Sequence, residues 1–413
     1  MAGRLATPLA GALAIAAAIS FLIGPVREAL EHRTYGFPAY YTSSRLVLDG
    51  RWTPDVYDND WFHEQSAELS GGILEIYRPN PPMASLIAVP IAWLDYGTAR
   101  RTWLVLQVLA IAGLIGALLG ALPALRAPPL ALGFTALVLA WSPLRDDVRL
   151  GQAYTFVTLL QALAVLGLAR SRLVGVGLAL GATLASKVAS IPLAVVLAVR
   201  GRVAPLAWAS VLLGLGALAT LPFAGIDGWR RFIAVFVEDT LHPGPELAVP
   251  AYQSVSGLLA HFLVADPRWN PAPVADTPAL AAALGIGLVI AVAVVTVALA
   301  RRGPEILAVG LALVAGLLVI NLAQEYHGAM LLPAAAIALV AWRSGAARRG
   351  RTPWLTVALV LAGGPFFYRD VPLPGGWADV LWYPRLAGAI LLWAWLALEL
   401  ARARSADPGA MQG

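Results

Sequence analysis

The chain has 413 residues, of which 59% are hydrophobic and 13% charged, and its formal net charge is +5. Soluble domains carry about 25% charged residues, so this composition excludes an ordinary soluble protein and indicates a surface that faces lipid. The chain has no cysteine, which excludes disulfides and thiolate metal sites.

The charged residues indicate membrane topology. Arginines occur in short clusters between apolar runs, which is the pattern of cytoplasmic loops and argues against a nucleic-acid partner. The five histidines lack the close spacing of a zinc site. No Walker A motif and no Rossmann glycine pattern occurs, so nucleotide-driven chemistry on the cytoplasmic side has no visible machinery.

The chain begins with an apolar run from Ala6 to Gly24 that follows a single basic residue, Arg4. The run ends at Pro25 and has no small-x-small cleavage site, so we predict a first membrane helix and not a signal peptide. Further apolar runs predict membrane helices at 82–96, 103–124, 129–141, 153–169, 203–223, 278–300, 304–320, 328–342, 354–367 and 386–400.

The basic clusters orient these helices, since cytoplasmic loops are rich in Arg. The stretch 173–199 lies between two such clusters, so we predict two short helices with Lys187 at their outer turn. If every apolar run between 82 and 141 crossed the membrane, the helices that follow would begin on the wrong side, so one of these runs should not cross. The run 129–141 is the first candidate for a segment that does not cross, because a spanning helix needs about 20 residues, but the sequence leaves the choice open.

The sequence therefore predicts an all-α integral membrane protein with about 11–13 transmembrane helices. We expect a single polytopic domain over 1–413, with two long outer loops at 25–80 and 224–277. Trp52, Trp61 and Phe62 predict interfacial helices in the first loop. The cytoplasmic links are short, so any chemistry is expected on the outer side.

Polar motifs lie at the predicted outer ends of helices, where polar groups at membrane depth commonly mark function. They are Gly36-Phe37-Pro38-Ala39-Tyr40-Tyr41, Asp55-Val56-Tyr57-Asp58, Tyr77-Arg78-Pro79-Asn80-Pro81-Pro82, Arg149-Leu150-Gly151-Gln152, Lys187 with Pro192, Tyr252-Gln253-Ser254, and Gln324-Glu325-Tyr326-His327.

In this order, the motifs resemble glycosyltransferase family 87 over about residues 5 to 345. The family is of the GT-C type and includes the mycobacterial phosphatidylinositol-mannoside mannosyltransferases. The resemblance implies a GT-C bundle that transfers a sugar, mannose first, from a polyprenyl-phosphate donor to a lipid or glycan acceptor outside the cytoplasmic (inner) membrane. The family's aspartate before Phe-x-x-Tyr-Tyr falls at Gly36 here.

Such a transfer needs a carboxylate base, and we predict Asp58, then Asp55, with Glu31, Asp146 and Asp147 as further candidates. It also needs groups that bind the departing phosphate and hold the sugar. The predicted substrate-binding residues are Tyr40, Tyr41, Arg78, Arg149, Gln152, Lys187, Gln253, Glu325 and His327. A phosphate monoester leaving group needs little metal assistance, so we expect neither a metal nor a cofactor.

Two other functions stay open from the sequence. A transporter or flippase of lipid-linked substrates would show inverted repeats and broken helices at the midplane, and no internal repeat is visible. A catalytically inactive relative could act as an envelope scaffold, a reading that Gly36 keeps open. A carboxylate in the same cavity as Lys187 and His327 would favour the enzyme.

Overall fold

A computed structural model describes residues 2–32, 34–241, 244–344, 348–366 and 376–405. Within these ranges the chain is α-helical and forms no strand. The helices are α1 Ala2–Phe21, α2 Arg27–Glu31, α3 Phe37–Leu48, α4 Asn59–Ser70, α5 Val89–Ala92, α6 Tyr96–Ala121, α7 Pro128–Ala140, α8 Ser142–Leu150, α9 Tyr154–Ala169, α10 Leu173–Ser186, α11 Ile191–Val199, α12 Val203–Leu241, α13 Val255–Leu263, α14 Pro278–Ala300, α15 Glu305–Leu318, α16 Leu332–Ser344, α17 Arg348–Gly363 and α18 Pro384–Ser405.

Six helical segments of the described chain are long and apolar enough to cross a membrane. They are Ala6–Glu31, Tyr96–Ala121, Val203–Thr240, Pro278–Ala300, Glu325–Arg343 and Pro384–Ala403. Five shorter apolar helices accompany them: α7, α9, α10, α15 and part of α17. The predicted all-α, multi-pass membrane protein is confirmed. The predicted 11–13 crossings require the shorter helices to cross as well.

The helix predicted at 82–96 is wrong. The chain there forms a short 3-10 helix, Pro82–Leu86, and the single turn of α5, Val89–Ala92. Prolines at 81, 82 and 90 lack the backbone N–H that a continuous helix needs. The suspected run 129–141 forms a continuous helix of 13 residues, α7. The alternation conflict would disappear if 82–96, and not 129–141, were the segment that does not cross.

The break predicted inside 173–199 is confirmed. α10 ends at Ser186, Lys187 is extended with φ −151° and ψ 135°, and α11 begins at Ile191. Gly316 of α15 permits this turn, because the carbonyl of Ala189 occupies the space where a β-carbon on Gly316 would lie.

The helix predicted to end at 223 continues to Leu241 as α12, with a bend at Gly225, whose φ is +58°. The outer segment predicted at 224–277 therefore begins in a helix. α12 packs on the first loop, where Trp52 and Phe62 are 5% and 0% exposed. Trp52 meets Phe223 edge to face with ring centroids 5.3 Å apart. These two aromatic side chains pack inside the protein and do not form the lipid-facing side of an interfacial helix.

The centre of the bundle is α15, whose residues are buried continuously from Leu307 to Leu318. A helix that is apolar on all sides is stable only when other helices surround it. α15 contacts α11, α14, α16 and α18. These contacts fix the ends of several helices relative to one another, including the turn at Lys187.

Small residues bring α10 and α12 into close contact. A β-carbon on Gly177 would lie 2.5 Å from the carbonyl oxygen of Pro205, and one on Gly181 would lie 3.0 Å from that of Ala209. Gly177 and Gly181 therefore form a small-xxx-small face, which lets helix backbones approach closely in membranes.

We expect Gly177→Ala to destabilise the protein by forcing α10 away from α12, lowering its thermal unfolding midpoint in detergent. Gly175→Ala is the matched control on the same helix, since nothing lies within 4 Å of the β-carbon added there. That control should be neutral or slightly stabilising, because Ala favours a helix over Gly by about 1 kcal/mol. Equal midpoints for the two variants would contradict this packing.

Candidate active site

A cavity of about 480 Å³ lies at one end of the bundle. Four parts of the chain form most of its wall: the first loop, the α8–α9 junction, the turn between α10 and α11, and the segment before α16. Its polar lining residues include Tyr35, Tyr40, Glu75, Arg78, Asn80, Gln152, Tyr154, Ser186, Lys187, Tyr252, Gln324, Tyr326 and His327. Of the predicted site residues, the structure brings together Tyr40, Arg78, Gln152, Lys187 and His327.

Lys187 reaches the cavity from the helix break. Its ammonium donates a 2.6 Å hydrogen bond to Oδ1 of Asn80 and lies 5.7 and 5.3 Å from the ring centres of Tyr40 and Tyr154. Asn80 is oriented by a 2.6 Å hydrogen bond from its Nδ2 to the carbonyl of Tyr77. Within the described chain, Lys187 forms no ion pair, so the cavity holds a cation that a bound anion can neutralise.

Glu75 places a carboxylate in the same cavity. It lies in the loop after α4, where its backbone N–H donates to Oγ of Ser66 at 3.0 Å and the N–H of Ile76 donates to its carboxylate at 3.3 Å. Burial raises the pKa of Glu75 to about 8. In the parts of the chain that the structure describes, Glu75 forms no ion pair.

Sequence reasoning missed Glu75, because it follows an apolar stretch and belongs to none of the quoted motifs. Its one usable signal was its position two residues before the Tyr77-Arg78-Pro79-Asn80 motif.

A hydrogen bond to Gln324 fixes which ring nitrogen of His327 donates. Its Nδ1 lies 3.1 Å from the carbonyl oxygen of Gln324, which can only accept, so Nδ1 carries a proton, and in the neutral imidazole Nε2 keeps its lone pair. Its ring packs against Tyr154 and Tyr326, at centroid distances of 4.1 and 4.8 Å. The three rings form an aromatic wall beside Lys187.

Tyr40 and Gln152 form the wall near Gly36. The hydroxyl of Tyr40 donates to Oε1 of Gln152 at 3.3 Å. A β-carbon on Gly36 would lie 2.5 Å from the amide carbon of Gln152. The space that a side chain at position 36 would need is therefore filled by the Gln152 amide.

Arg78 lines the cavity but is already paired. Its Nη2 lies 3.1 Å from Glu238, and its Nε donates to Asp239 at 3.3 Å, both on α12. This guanidinium ties the first loop to α12, and less of its charge is available to a ligand than that of Lys187.

The structure does not bring Asp55 and Asp58 to the cavity. Both are exposed, and each lies at a helix start. Oδ1 of Asp58 accepts from the N–H of Trp61 at 2.9 Å, which caps α4, and Asp55 accepts from the hydroxyl of Thr53 at 2.9 Å.

Two more predicted residues, Tyr41 and Gln253, form hydrogen bonds within the protein. The hydroxyl of Tyr41 donates to the carbonyl of Leu94 at 2.9 Å. Gln253 donates to the carbonyls of Pro250 and Trp382 and accepts from the N–H of Arg385. Both residues lie outside the lining of the cavity.

Arg149 and Glu325 line a second cavity together with Asp146. The other candidate bases are engaged in local interactions. Glu31 pairs with Arg27 at 2.7 Å on the surface. Asp147 is fully buried and accepts from the N–H groups of Tyr154 and Thr155, at the start of α9.

No group of three or more His, Asp or Glu side chains within the described ranges is placed to hold a metal ion. The cavity offers one carboxylate, one unpaired ammonium and several hydroxyls and amides. Such a set can accept a proton, bind an anion and orient hydroxyl groups.

Comparison with known proteins identifies the family of this chain. No curated protein and no solved structure gives a significant match to the chain. The sequence model of glycosyltransferase family 87 matches residues 79–324, which is more than half of the chain. The matched range includes Lys187 and the lining residues from Pro79 to Gln324, whereas Glu75 and His327 lie outside it. This multi-pass membrane protein belongs to glycosyltransferase family 87.

Proposed function

We propose that the cavity holding Glu75 and Lys187 transfers a sugar from a polyprenyl-phosphate donor to a hydroxyl group of a lipid or glycan acceptor. One observation carries the proposal: a carboxylate and an ammonium line the same cavity, and neither forms an ion pair within the described chain. Both side chains are partly buried. An ionisable group held away from water without a partner is costly, and a reaction that needs a base and an anion-binding group accounts for both.

The ammonium of Lys187 would bind the phosphate of the donor. It neutralises charge that develops on the leaving phosphate as the sugar–oxygen bond breaks, and such stabilisation is strong in a site sheltered from water. The rings of Tyr40 and Tyr154, with centres 5.7 and 5.3 Å from the ammonium, contribute cation–π contacts to it. The leaving group is a phosphate monoester, so we propose a transfer without a metal or cofactor.

The carboxylate of Glu75 would act as the base, in place of Asp58. The acceptor hydroxyl gives its proton to Glu75 while its oxygen bonds to the anomeric carbon, and the bond from that carbon to the phosphate oxygen breaks. The raised pKa of Glu75, about 8, suits a group that must take up this proton near neutral pH. Glu75 also supplies the carboxylate whose lack would have indicated an inactive relative.

The remaining polar residues would hold the sugar. Gln152 and Tyr40 share a hydrogen bond and can both turn toward hydroxyl groups. Nε2 of His327 accepts a hydrogen bond from a sugar hydroxyl. Mannose is the first candidate, because the motifs resemble mannosyltransferases of this family.

We propose that the protein lies in the cytoplasmic membrane with the cavity facing outward. Linkers at the opposite end of the bundle are basic and touch each other: Arg202 pairs with Glu305 at 2.7 Å, and Arg200 donates to the carbonyl of Ala300 at 2.6 Å. Basic linkers favour the cytoplasm. The 25–80 and 224–277 segments of the single domain then both lie outside.

Glu75→Gln is expected to lower transfer by about 10²–10⁴-fold, since the amide keeps the shape of the side chain but cannot take up a proton. The assay gives purified protein radiolabelled polyprenyl-phosphate-mannose and a lipid extract from its host, and follows label in a new lipid. Asp58→Asn separates the two candidate bases and should stay active, because Asn also caps helices. Loss of activity in Asp58→Asn alone would assign the base to Asp58.

The same assay, run across pH, tests the protonation state of Glu75. Only the carboxylate form can accept a proton, so kcat/KM of the wild type should rise with pH and level off above about 8. A profile that is flat from about pH 6 to about pH 9, a range that brackets that value, would contradict Glu75 as the base.

Lys187→Met is expected to lower transfer by at least about a hundredfold, because the cavity then lacks a cation for the leaving phosphate. Asn80→Ala is the companion variant: it removes only the hydrogen bond that positions the ammonium and should cost less. Wild-type turnover in a folded Lys187→Met protein would refute the phosphate assignment.

The side of the membrane on which the cavity opens can be tested with single introduced cysteines, since the native chain has none. Asp60→Cys in α4 should react with a membrane-impermeant maleimide in intact cells. Arg172→Cys, which is exposed in the linker between α9 and α10, should react only after the cells are opened. The reverse labelling pattern would place the cavity on the cytoplasmic side.

A further inference from the structure

A third cavity, of about 500 Å³, begins at the linker between α9 and α10. Leucines and small residues of α9, α10 and α12 form its sides, and Arg170 and Arg172 of the linker also line it. Lys187 lies at the other end of α10, so this cavity is separate from the candidate active site. Its volume is within the range of about 300–1,000 Å³ that is typical of small-molecule sites.

The sides of this cavity are apolar and partly exposed. Leu163 on α9 and Leu178 on α10 are 39% and 40% exposed. On α10 the lining extends from Gly175 to Ala182, which is a rise of about 10 Å in an α-helix. The hydrocarbon layer of one leaflet is about 15 Å thick, half of the bilayer core. The groove therefore has the surface chemistry and the depth to hold the first part of an acyl chain.

The two arginines at the linker are exposed and have no counter-ion. Within the described chain, Arg170 and Arg172 form no ion pair, and no carboxylate lines the cavity. In the linker between α11 and α12, by contrast, Arg202 pairs with Glu305 at 2.7 Å. Two guanidiniums without a carboxylate partner favour an anion, and their paired N–H groups match the oxygens of a phosphate.

Membrane topology alone explains only part of this pattern. Arginines in a short linker orient a membrane protein without binding any particular ligand. Orientation does not require an open groove beside them, and nothing lies within 4 Å of a β-carbon added at Gly175. A phosphate-binding end joined to an apolar groove has the same arrangement as a phospholipid, whose charged headgroup is joined to acyl chains.

We propose that this third cavity binds an anionic phospholipid, with its phosphate at Arg170 and Arg172 and one acyl chain along α10. An acyl chain gains little hydrophobic energy by leaving other lipid for a groove, so the arginines supply the preference and the groove supplies the position. A zwitterionic lipid would bring a cation toward the same arginines and bind less tightly. The binding does not depend on the proposed transfer reaction. In the orientation proposed above, the lipid belongs to the cytoplasmic leaflet.

The test uses a fluorescent reporter beside the cavity. Val174 is 46% exposed and lies outside the cavity lining, and the native chain has no cysteine. The Val174→Cys variant, labelled with bimane, is reconstituted in phosphatidylcholine vesicles. The vesicles contain an equal minor share of either phosphatidylglycerol or phosphatidylcholine whose acyl chains are brominated near the glycerol. Bromine quenches bimane on contact, so brominated phosphatidylglycerol should quench more strongly than brominated phosphatidylcholine.

Arg170→Gln and Arg172→Gln test the contacts with the headgroup. Each should lower the apparent affinity for brominated phosphatidylglycerol about fivefold, the usual contribution of one basic residue beside anionic lipid. In the double variant the two brominated lipids should quench equally. Raising the salt concentration should reduce the preference of the unsubstituted cavity, since salt screens exposed charges. Arg301→Gln, at an exposed position after α14 and outside this cavity, is the matched control and should keep the preference.

Gly175→Leu tests the groove while both arginines stay in place. The added side chain enters the open space beside α10, so it should displace the acyl chain and reduce quenching by brominated phosphatidylglycerol. Gly116→Leu on α6 is the matched control, because Gly116 is also exposed with nothing within 4 Å of an added β-carbon. No preference for phosphatidylglycerol in the unsubstituted cavity would overturn the proposal. An unchanged preference in the double arginine variant, or unchanged quenching in Gly175→Leu, would overturn it as well.

Discussion

The hydrogen bond from Lys187 to Asn80 joins the two halves of the candidate site. Lys187 comes from the break between α10 and α11, and Asn80 from the first loop, 107 residues earlier. Asn80 is held in turn by Tyr77 and Tyr57, whose hydroxyl donates to the carbonyl of Asn80 at 3.0 Å. The position of the Lys187 ammonium therefore depends on the packing of the first loop against α12. The same loop also contains Glu75.

The bilayer explains why the site is built at helix ends. Within the hydrocarbon region every backbone N–H and C=O must be paired, so spanning segments are regular helices. Irregular backbone is tolerated where protein encloses it or where it lines a water-filled space. Three irregular segments line one cavity: the extended residue Lys187, the loop residues Arg78–Pro81, and the turn at Gln324–His327. Irregular backbone that would be costly in contact with lipid thus brings polar side chains together around the cavity.

Much of the fold was predictable because apolar length and basic linkers are strong signals in membrane proteins. The break at Lys187 was predicted from a 27-residue apolar stretch between two basic clusters. The run 129–141 was the first candidate for a non-crossing segment because length alone was considered, whereas prolines 81, 82 and 90 are the signal that 82–96 forms no continuous helix. The end of α12 was misplaced because the residues after Gly225 are amphipathic and pack on the first loop, which hydropathy does not reveal.

The candidate site was only partly predictable. Lys187 and His327 stand out in sequence as polar residues beside apolar helices, and the cavity contains both. Asp58 was preferred as the base because aspartates in an outer loop suggested chemistry, yet its spacing to Trp61 is also that of a helix cap, which is where the structure places it. A cap and a base look alike in a sequence, because both are carboxylates next to a turn. Only the packing of the loop distinguishes them.

An aspartate at position 36 could not be accommodated without moving Gln152, which forms part of the cavity wall. A side chain at position 36 would meet the Gln152 amide 2.5 Å from its first carbon, so an aspartate there would displace Gln152 and its hydrogen bond with Tyr40. The glycine is therefore part of a consistent local arrangement and not simply a lost catalytic group. A base is still needed for the proposed transfer, and Glu75 enters the cavity from the other end of the same loop. On this argument the loop keeps its chemical task while the residue that performs it changes position.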